Sequence, residues 1–208
     1  MATKLALYNA ALVEIGVARI VTITDAVKGR YELDVVYDNV LADCLKDGQW
    51  NFAMRTVQGD AGVSVPAFGY LYQFAKPSDW VRTVAFSADT NLSTPILDYE
   101  DQGGVWLASA DPIYVRYVSS DASYGGDLTL FPPDYRRFVE LSLAARVCNT
   151  LTGNASLRDR LVERDVPKAM KTARSHDAMD GPTKFLPPGR FVAARGGGRS
   201  NDQRRAAS

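Results

Sequence analysis

The spacing of the hydrophobic residues changes twice along this chain, and each change marks a change of secondary structure. In the first 50 residues, and again after residue 131, apolar residues recur at the three- and four-residue intervals of a helix. Between these stretches glycine and proline become frequent, and β-branched or aromatic residues gather in short runs. This order predicts an α+β fold in which a small β-rich region is inserted between helices.

Two helices are predicted in the first 50 residues. The first begins near Thr3 and ends at Gly16, where a glycine C-cap falls. The second is capped by Thr24 or Asp25 and ends at Gly48. One of its faces is predicted to be buried and the other solvated. The buried face comprises Leu33, Val36, Tyr37, Val40, Leu41, Cys44 and Leu45. The solvated face comprises Asp34, Asp38, Asp43, Lys46 and Asp47.

Four short strands are predicted in the middle of the chain, at residues 80–86, 95–99, 105–107 and 113–118. Glycine- and proline-containing turns separate them. Together they predict one small antiparallel sheet within about residues 65–120. This segment is too short for a large independent β-domain, so we expect an insertion between helices.

Two further helices are predicted after the strands. One opens at residues 132–134 (PPD) and ends before Gly153. The next begins at Asn154 and continues towards His176, and Pro167 is predicted to bend it or split it in two. Its first half alternates in charge, which is typical of a solvated face and would also suit a polar seam between subunits. The residues of this possible subunit seam are Arg158, Asp159, Arg160, Glu163, Arg164 and Asp165.

The C-terminal residues 184–208 hold six of the chain's 24 basic residues but only one of its 24 acidic residues. The rest of the chain therefore carries an excess of five acidic residues, although the whole has no formal net charge. Paired prolines and a run of three glycines disfavour helix and central strand there. Two apolar pairs, Phe185-Leu186 and Phe191-Val192, favour an extended arm that docks on a partner over a simple loose terminus.

The predicted fold is mainly an α-helical bundle of about four helices, with an inserted small antiparallel β-rich subdomain and an extended C-terminal arm. Residues 1–58 are assigned to the first helical half and residues 59–130 to the β-rich subdomain. Residues 131–181 are assigned to the second helical half, and residues 182–208 to the arm.

Residues suited to enzyme chemistry are few. His176 is the single histidine, and Cys44 and Cys148 lie in apolar helical patterns that predict burial. The acidic residues at 98–101 could attract a divalent cation, but they lack the ligand spacing and central glycine of a calcium loop. The aromatic segment 68–74 is predicted to pack between sheet and helices rather than to stack on bases, since basic residues are scarce around it. We therefore predict no catalytic, cofactor or metal site, and no enzyme.

The compartment is also constrained by the sequence. No apolar run approaches the roughly 20 residues that span a bilayer, and polar residues interrupt the apolar N-terminal stretch. A membrane partner and a secretory signal are therefore not expected. Two cysteines are too few for a disulfide framework, so we expect a reducing compartment.

Four phrases in this sequence resemble, in order, those of the tail tubular protein A family, the head-to-tail adaptors of short-tailed bacteriophages. The first two are ALVEIG at residues 11–16 and WNF at residues 50–52. The third, YLYQFAKPSDWVR at residues 70–82, departs from the family pattern at Lys76, where a leucine is common. The fourth is FPPDYRRF at residues 131–138. The likeness covers about residues 5–180, and its strength lies in the order of the phrases.

The resemblance implies a structural virion protein at the head–tail junction, made in the cytoplasm of a host bacterium. Such adaptors self-associate into a ring of about twelve copies between the portal protein and a tail nozzle or tail tube protein. Double-stranded DNA passes through the ring without sequence-specific contact. The C-terminal arm of such a protein reaches the portal. Here the arm residues placed on the portal would be Phe185, Leu186, Arg190, Phe191, Val192, Arg195 and Arg199.

Two other functional classes remain open from the residues alone. The basic arm could belong to a nucleic-acid-binding module, whose duplex affinity would fall steeply with salt. The acids at 98–101 could serve a metal-dependent hydrolase or nuclease. Near-zero net charge favours the adaptor, because a conduit that released counterions along DNA would hold the genome in place.

Overall fold

The computed structural model describes residues 3–64, 66–67 and 69–181, and it confirms a mixed α+β fold. The helices are α1 (Lys4–Glu14), α2 (Lys28–Lys46), α3 (Pro133–Thr152), α4 (Ala155–Arg160) and α5 (Val166–Asp180). The strands are β1 (Met54–Gly59), β2 (Tyr72–Ala75), β3 (Trp80–Ser87), β4 (Tyr99–Gln102), β5 (Val105–Ala108) and β6 (Ile113–Ser119). Short 3-10 helices follow α2 and β6, at Asn51–Ala53 and Leu128–Leu130.

The helix α3 lies at the centre of the helical layer, because α1, α2 and α5 all pack on it. Leu143, Ala144 and Ala145 are buried in succession, followed by Val147 and Cys148. Consecutive buried positions mean that neighbouring elements cover more than one face of this helix. Its apolar character therefore organises the packing of the other helices.

The first helix begins and ends as the sequence predicts. The Thr3 hydroxyl accepts a hydrogen bond from the Ala6 N–H at 3.2 Å, which caps the first turn. Gly16 lies just past the helix with a φ of +72°, a left-handed conformation that favours glycine. Ala11, Leu12 and Ile15 are buried, so this phrase supplies core residues and a helix end.

The start of α2 differs from the prediction. Neither Thr24 nor Asp25 caps it, because the Asp25 carboxylate instead accepts from the backbone N–H groups of Val21 and Thr22, at 2.8 and 2.9 Å. These bonds close a turn in the α1–α2 connector, and the helix begins at Lys28. Most of the predicted buried face is confirmed, but Val36 and Leu41 are only half-buried.

Six antiparallel strands form two three-stranded sheets, rather than the single sheet predicted. The first has the order β1-β6-β3 and the second β2-β5-β4. The two sheets pack face to face through a buried cluster of Phe74, Phe86, Trp106, Ala108, Ile113 and Val115. The opposite face of the first sheet places Val118, with Met54 and Val84, against the helical core. The first sheet therefore separates the helices from the second sheet.

Three of the predicted strands are confirmed, and one is wrong. Residues 95–99 contribute only an isolated bridge from Pro95 to Ser87, and β4 begins at Tyr99. Strand β1 was not predicted and begins before residue 59, within the segment assigned to the first helical half. Strand β2 overlaps the end of the aromatic segment at 68–74 that was interpreted as a packing connector. Its Phe74 is buried between the sheets, so that segment does pack, but as a strand.

Pro167 does not split the last helix into two separate helices. A π-helical stretch, Leu161–Asp165, precedes it and joins α4 to α5 in one continuous helical run. Proline has no N–H to donate to the carbonyl four residues earlier, and a wider turn accommodates that missing bond. Leu161 stays fully buried, while Val162 and its two successors are exposed.

An aromatic joint holds together the two chain segments that flank the β-rich region. The Trp50 ring lies 4.7 Å from Tyr135, and Phe52 lies 5.4 Å from Phe131, centroid to centroid. The Trp50 indole N–H also donates to the Cys44 carbonyl oxygen at 2.9 Å. Two of the four phrases, at residues 50–52 and 131–138, therefore meet in the core.

Asp79 joins the three strands of the first sheet. Its carboxylate accepts hydrogen bonds from Arg55 on β1, at 2.9 Å, and from Tyr117 and Ser119 on β6. Although partial burial works against the charged form, hydrogen bonds from Ser119 and Arg55 hold the pKa of Asp79 below its ordinary value. The third phrase thus contributes a charged junction to the sheet.

Candidate assembly surfaces

The six residues of the predicted seam lie together on α4 and the π-helical stretch, and all but Asp165 are exposed. Arg158 pairs with Asp159 at 3.2 Å, while Arg160 and Arg164 both pair with Asp165, at 3.4 and 3.0 Å. The hydrogen bond from Arg164 lowers the pKa of Asp165, so that carboxylate stays ionised. Exposed pairs of this kind contribute only about 0–1 kcal/mol to stability. The segment is therefore a balanced polar surface rather than a stabilising network.

A groove of about 480 Å³ lies beside this segment, between α2 and α3. Its apolar lining is formed by Val40, Cys44, Phe138, Ala145, Val162 and Val166. Arg158 of the charged segment lies at its rim, as does an ion pair between Arg146 and Asp43 at 3.0 Å. We call this feature the α2–α3 groove. Its apolar lining and charged rim are typical of a surface that another protein covers.

The Cys44 thiol in this groove is not an activated nucleophile. Burial raises its pKa to about 12, so it stays protonated at neutral pH. Cys148 is buried as well, as the sequence predicted for both cysteines. The groove therefore offers apolar contact and not thiol chemistry.

A second apolar surface lies at the start of α2 and in the connector before it. Val27, Tyr31 and Val35 follow one another at four-residue intervals and are exposed, Val35 by 76%. Val21 and Ile23 of the connector are exposed too. We call these five residues the connector stripe. Neighbouring exposed apolar residues on a helix mark a contact surface more strongly than scattered ones do.

Neither the connector stripe nor the α2–α3 groove was predicted. The signal for the stripe was present, because Val27, Tyr31 and Val35 repeat at helical spacing outside the buried face of α2. The groove needed the fold, since α3 and the π-helical stretch reach it from more than 90 residues away along the chain. The arm residues at 185–199 that were predicted to bind a portal lie outside the described residues.

His176 acquires an acidic neighbour that the sequence did not reveal. Its Nδ1 lies 2.6 Å from the Asp134 carboxylate, at a pocket of about 320 Å³ near Trp50 and Asp177. Neither serine, threonine nor cysteine lines this pocket. The phenol of Tyr135 does, but burial raises its pKa well above the ordinary value. The pair therefore has no activated nucleophile beside it.

The acidic residues at 98–101 are held in separate contacts. Tyr70 donates its hydroxyl to Asp98 at 3.2 Å, and the Lys76 ammonium pairs with Asp101. Lys76 also lies 3.8 Å from the centroid of the Trp80 ring. Within the described ranges, no three His, Cys, Asp or Glu residues are grouped closely enough to hold a metal ion. In that same part of the chain, no helix is both long and apolar enough to cross a membrane.

No protein-family model matches this sequence. A comparison with curated proteins finds no significant similarity either. Function is therefore inferred from the surfaces of the molecule itself and from the four sequence phrases.

Proposed function

We propose that this chain is a structural virion protein, a head-to-tail adaptor that forms a ring of about twelve copies beneath the portal. The ring would continue the DNA channel and attach the tail. The observation that carries the proposal is a pair of unlike apolar surfaces on one helical layer, the connector stripe and the α2–α3 groove.

A closed ring needs a heterologous contact, in which one surface of each copy binds a different surface of the next. The connector stripe offers exposed valines and a tyrosine, and the groove offers space beside the exposed Val162 and the half-buried Val166. In the proposed ring, the stripe of one copy packs on the groove of its neighbour. The charged segment then lies at the edge of the contact, since Arg158 belongs to both.

The proposal includes the finer arrangement of the fold, a four-helix bundle interrupted by a β-rich subdomain and followed by an arm. Its support is that α1, α2 and α5 pack on α3, while both sheets arise from the chain between α2 and α3. Three of the phrases that resemble the adaptor family supply a helix end or core contacts, at residues 11–16, 50–52 and 131–138. These roles are structural, so the three phrases indicate a shared fold rather than shared active-site residues.

The charge distribution also favours a conduit with a docking arm. The chain before residue 184 has five more acidic than basic residues, so it does not attract DNA strongly as a whole. The arm at 184–208 is basic and contains apolar pairs. Arginine guanidinium groups pair with carboxylates, and neighbouring apolar side chains pack against a protein surface. Both suit an acidic protein surface, which we propose is on the portal.

The direct test is the mass of the purified full-length chain, alone and mixed with the portal protein of the same phage. Native mass spectrometry measures both. We expect the portal to recruit about twelve copies in a single closed assembly. A chain that stays monomeric and leaves the portal mass unchanged at micromolar concentrations would contradict the proposal.

The connector stripe can be tested separately with a matched pair of variants. Val35→Glu places a charge in the stripe, whereas Val63→Glu places one on a fully exposed valine between β1 and β2. We expect only Val35→Glu to prevent ring formation, because an unpaired charge in an apolar contact is costly. Equal ring yields for the two variants, with unchanged melting temperatures, would show that the stripe is not the contact.

The composition of residues 184–208 favours one alternative, a nucleic-acid-binding module that acts through the arm. Six basic residues against one acid would contact phosphates along a duplex. This alternative predicts duplex binding that weakens steeply with salt and is abolished by truncation after Pro188. Under the adaptor proposal, the same truncation abolishes portal binding and leaves weak duplex binding unchanged.

A further inference from the structure

A third surface carries a charge opposite to that of the molecule around it. A cleft of about 590 Å³ lies between the end of α2, the helix α5 and the first sheet. Three arginines from three elements line it, Arg82 of β3, Arg116 of β6 and Arg174 of α5. The half-buried Met54 and Val84 add apolar surface, while Trp50 in the lining is 1% exposed. We call this feature the arginine cleft.

Most of the donor groups of these arginines are unused. Arg82 donates to the Lys46 carbonyl oxygen at 3.4 Å, and Arg174 donates to the Asp47 carbonyl oxygen. Both bonds lie at the C-terminal end of α2, where cations are favourable. Each guanidinium has five N–H donors, so these contacts occupy few of them. Arg116 forms no hydrogen bond or ion pair to any side chain that the structure describes.

The carboxylates that line the cleft do not neutralise the arginines. Among the described residues, no ion pair joins an acidic side chain to Arg82, Arg116 or Arg174. Asp177 is occupied otherwise, because it accepts from the Asn51 backbone N–H at 2.9 Å. Three guanidinium groups therefore meet in a part of the chain that has an excess of acidic residues elsewhere. An arrangement of this kind is complementary to an anion.

We propose that the arginine cleft binds an acidic segment of a partner protein, in which carboxylates alternate with apolar side chains. The carboxylates pair with Arg116 and with the free donors of Arg82 and Arg174. The apolar side chains contact Met54 and Val84. This proposal goes beyond the adaptor function, because it names the chemistry of a partner and uses none of the ring contacts.

A peptide fits this cleft better than DNA does. Its volume lies within the range of about 300–1,000 Å³ that is typical of small-ligand sites, so it admits a few residues of an extended chain. A phosphate backbone would gain nothing from the apolar part of the lining, which an apolar side chain of a peptide can contact.

The test is a titration of the full-length chain, at low salt, with a short synthetic peptide of alternating glutamate and leucine. Isothermal titration calorimetry measures the affinity without altering the core. We expect saturable binding that Arg116→Gln weakens about tenfold or more, since a hydrogen bond between charged groups contributes about 1.5–3 kcal/mol. Arg19→Gln is the matched control, because Arg19 is an exposed arginine in the α1–α2 connector.

The outcomes separate the possible occupants. Arg116 is exposed, and an unchanged melting temperature in Arg116→Gln shows that lost binding is not lost structure. No saturable binding of the peptide overturns the proposal, and so does equal weakening by Arg19→Gln. Duplex DNA that binds more tightly than the peptide and depends on Arg116 also overturns it. Concentration-dependent self-association that Arg116→Gln abolishes would assign the cleft to a second copy instead.

Discussion

At the centre of the helical layer α3 is surrounded by apolar and aromatic side chains, whereas the strands and loops of the first sheet are tied together by ionised carboxylates. Trp50, Tyr135 and Phe138 contact one another in the first region. In the second, Asp79 joins β3 to β1 and β6, and Asp89 accepts from the Ser93 and Thr94 N–H groups, each at 3.0 Å. The two regions should therefore respond differently to cavities, to charge removal and to acid.

The largest expected effect comes from the aromatic joint. Trp50 is 1% exposed, while Trp80 at the start of β3 is half-buried beneath Lys76. We expect Trp50→Ala to lower the free energy of unfolding by about 3–5 kcal/mol and Trp80→Ala to lower it by less. Urea denaturation of the two variants measures both values. A larger loss from Trp80 would reverse the comparison between the regions.

A second, smaller effect tests the buried face of α2. Leu33 is fully buried there, whereas Leu41 is only half-buried. Leu33→Ala should cost about 2–5 kcal/mol, Leu41→Ala clearly less, and the exposed Asp38→Ala within about 0.5 kcal/mol of zero. Thermal melting curves of the three variants measure these losses of stability. Equal shifts for Leu33 and Asp38 would mean that the helix is rotated about its axis.

Removal of the Asp79 charge tests the carboxylate-dependent region. Asp79→Asn keeps the size of the side chain but leaves Arg55 and Ser119 without an ionised acceptor. We expect a loss of about 1–3 kcal/mol, because a buried charged hydrogen-bonding group loses its partners. Asp98→Asn is the control, since Asp98 is exposed and has a single hydroxyl partner. If Asp79→Asn leaves the free energy of unfolding unchanged, the first sheet does not depend on this junction.

Acidification should weaken the sheets before the helices. Hydrogen bonds hold the pKa of Asp79 and of Asp89 below the ordinary value of 3.8, with partial burial opposing the shift. Their stabilisation is therefore complete above about pH 3.8 and is lost as the pH falls through the folded pKa. Burial raises the pKa of Glu140 and of Asp177 in the helical layer. The charged forms of Glu140 and Asp177 oppose folding. Their protonation at low pH therefore removes an unfavourable contribution to the free energy of folding.

Hydrogen exchange at about pH 5 and about pH 3 measures this difference region by region. Amides of β6 should lose more protection than amides of α3, after correction for the intrinsic exchange rate. Asp34 makes the difference in acid sensitivity between the two regions smaller. A hydrogen bond from the Tyr8 hydroxyl lowers its pKa, so the helical layer also loses some stabilisation at low pH. Equal losses in β6 and α3 would show that the two regions unfold as one unit.

The difference between the two regions also explains which helices and strands could be predicted from the sequence. The helices were predicted because a helix carries its apolar pattern over many residues, as α2 does from Leu33 to Leu45. The strands β2 (YQFA) and β4 have four residues each and, unlike the equally short β5 (VWLA), contain no run of three apolar residues. Strand β4 (YEDQ) is also mostly exposed, so its pairing with β5 leaves little trace in its composition.

The candidate surfaces depend on the fold to different degrees. The connector stripe could have been recognised from Val27, Tyr31 and Val35, because they repeat at four-residue intervals across the start of one helix. The α2–α3 groove and the arginine cleft could not, since each joins segments that are distant along the chain. Arg116 lines the same cleft as Arg82 and Arg174 only because the fold brings β3, β6 and α5 together.

The most direct test of the proposed ring is a cross-link between its two unlike surfaces. Val35 of the connector stripe and Val162 of the α2–α3 groove are exposed, whereas Cys44 and Cys148 are buried. The double variant Val35→Cys, Val162→Cys should therefore oxidise only through the new thiols. On portal-bound assemblies we expect a ladder of covalent oligomers that ends at about twelve copies, while each single variant stays uncross-linked. A double variant that gives no ladder, or a single variant that gives covalent dimers, would contradict a heterologous ring.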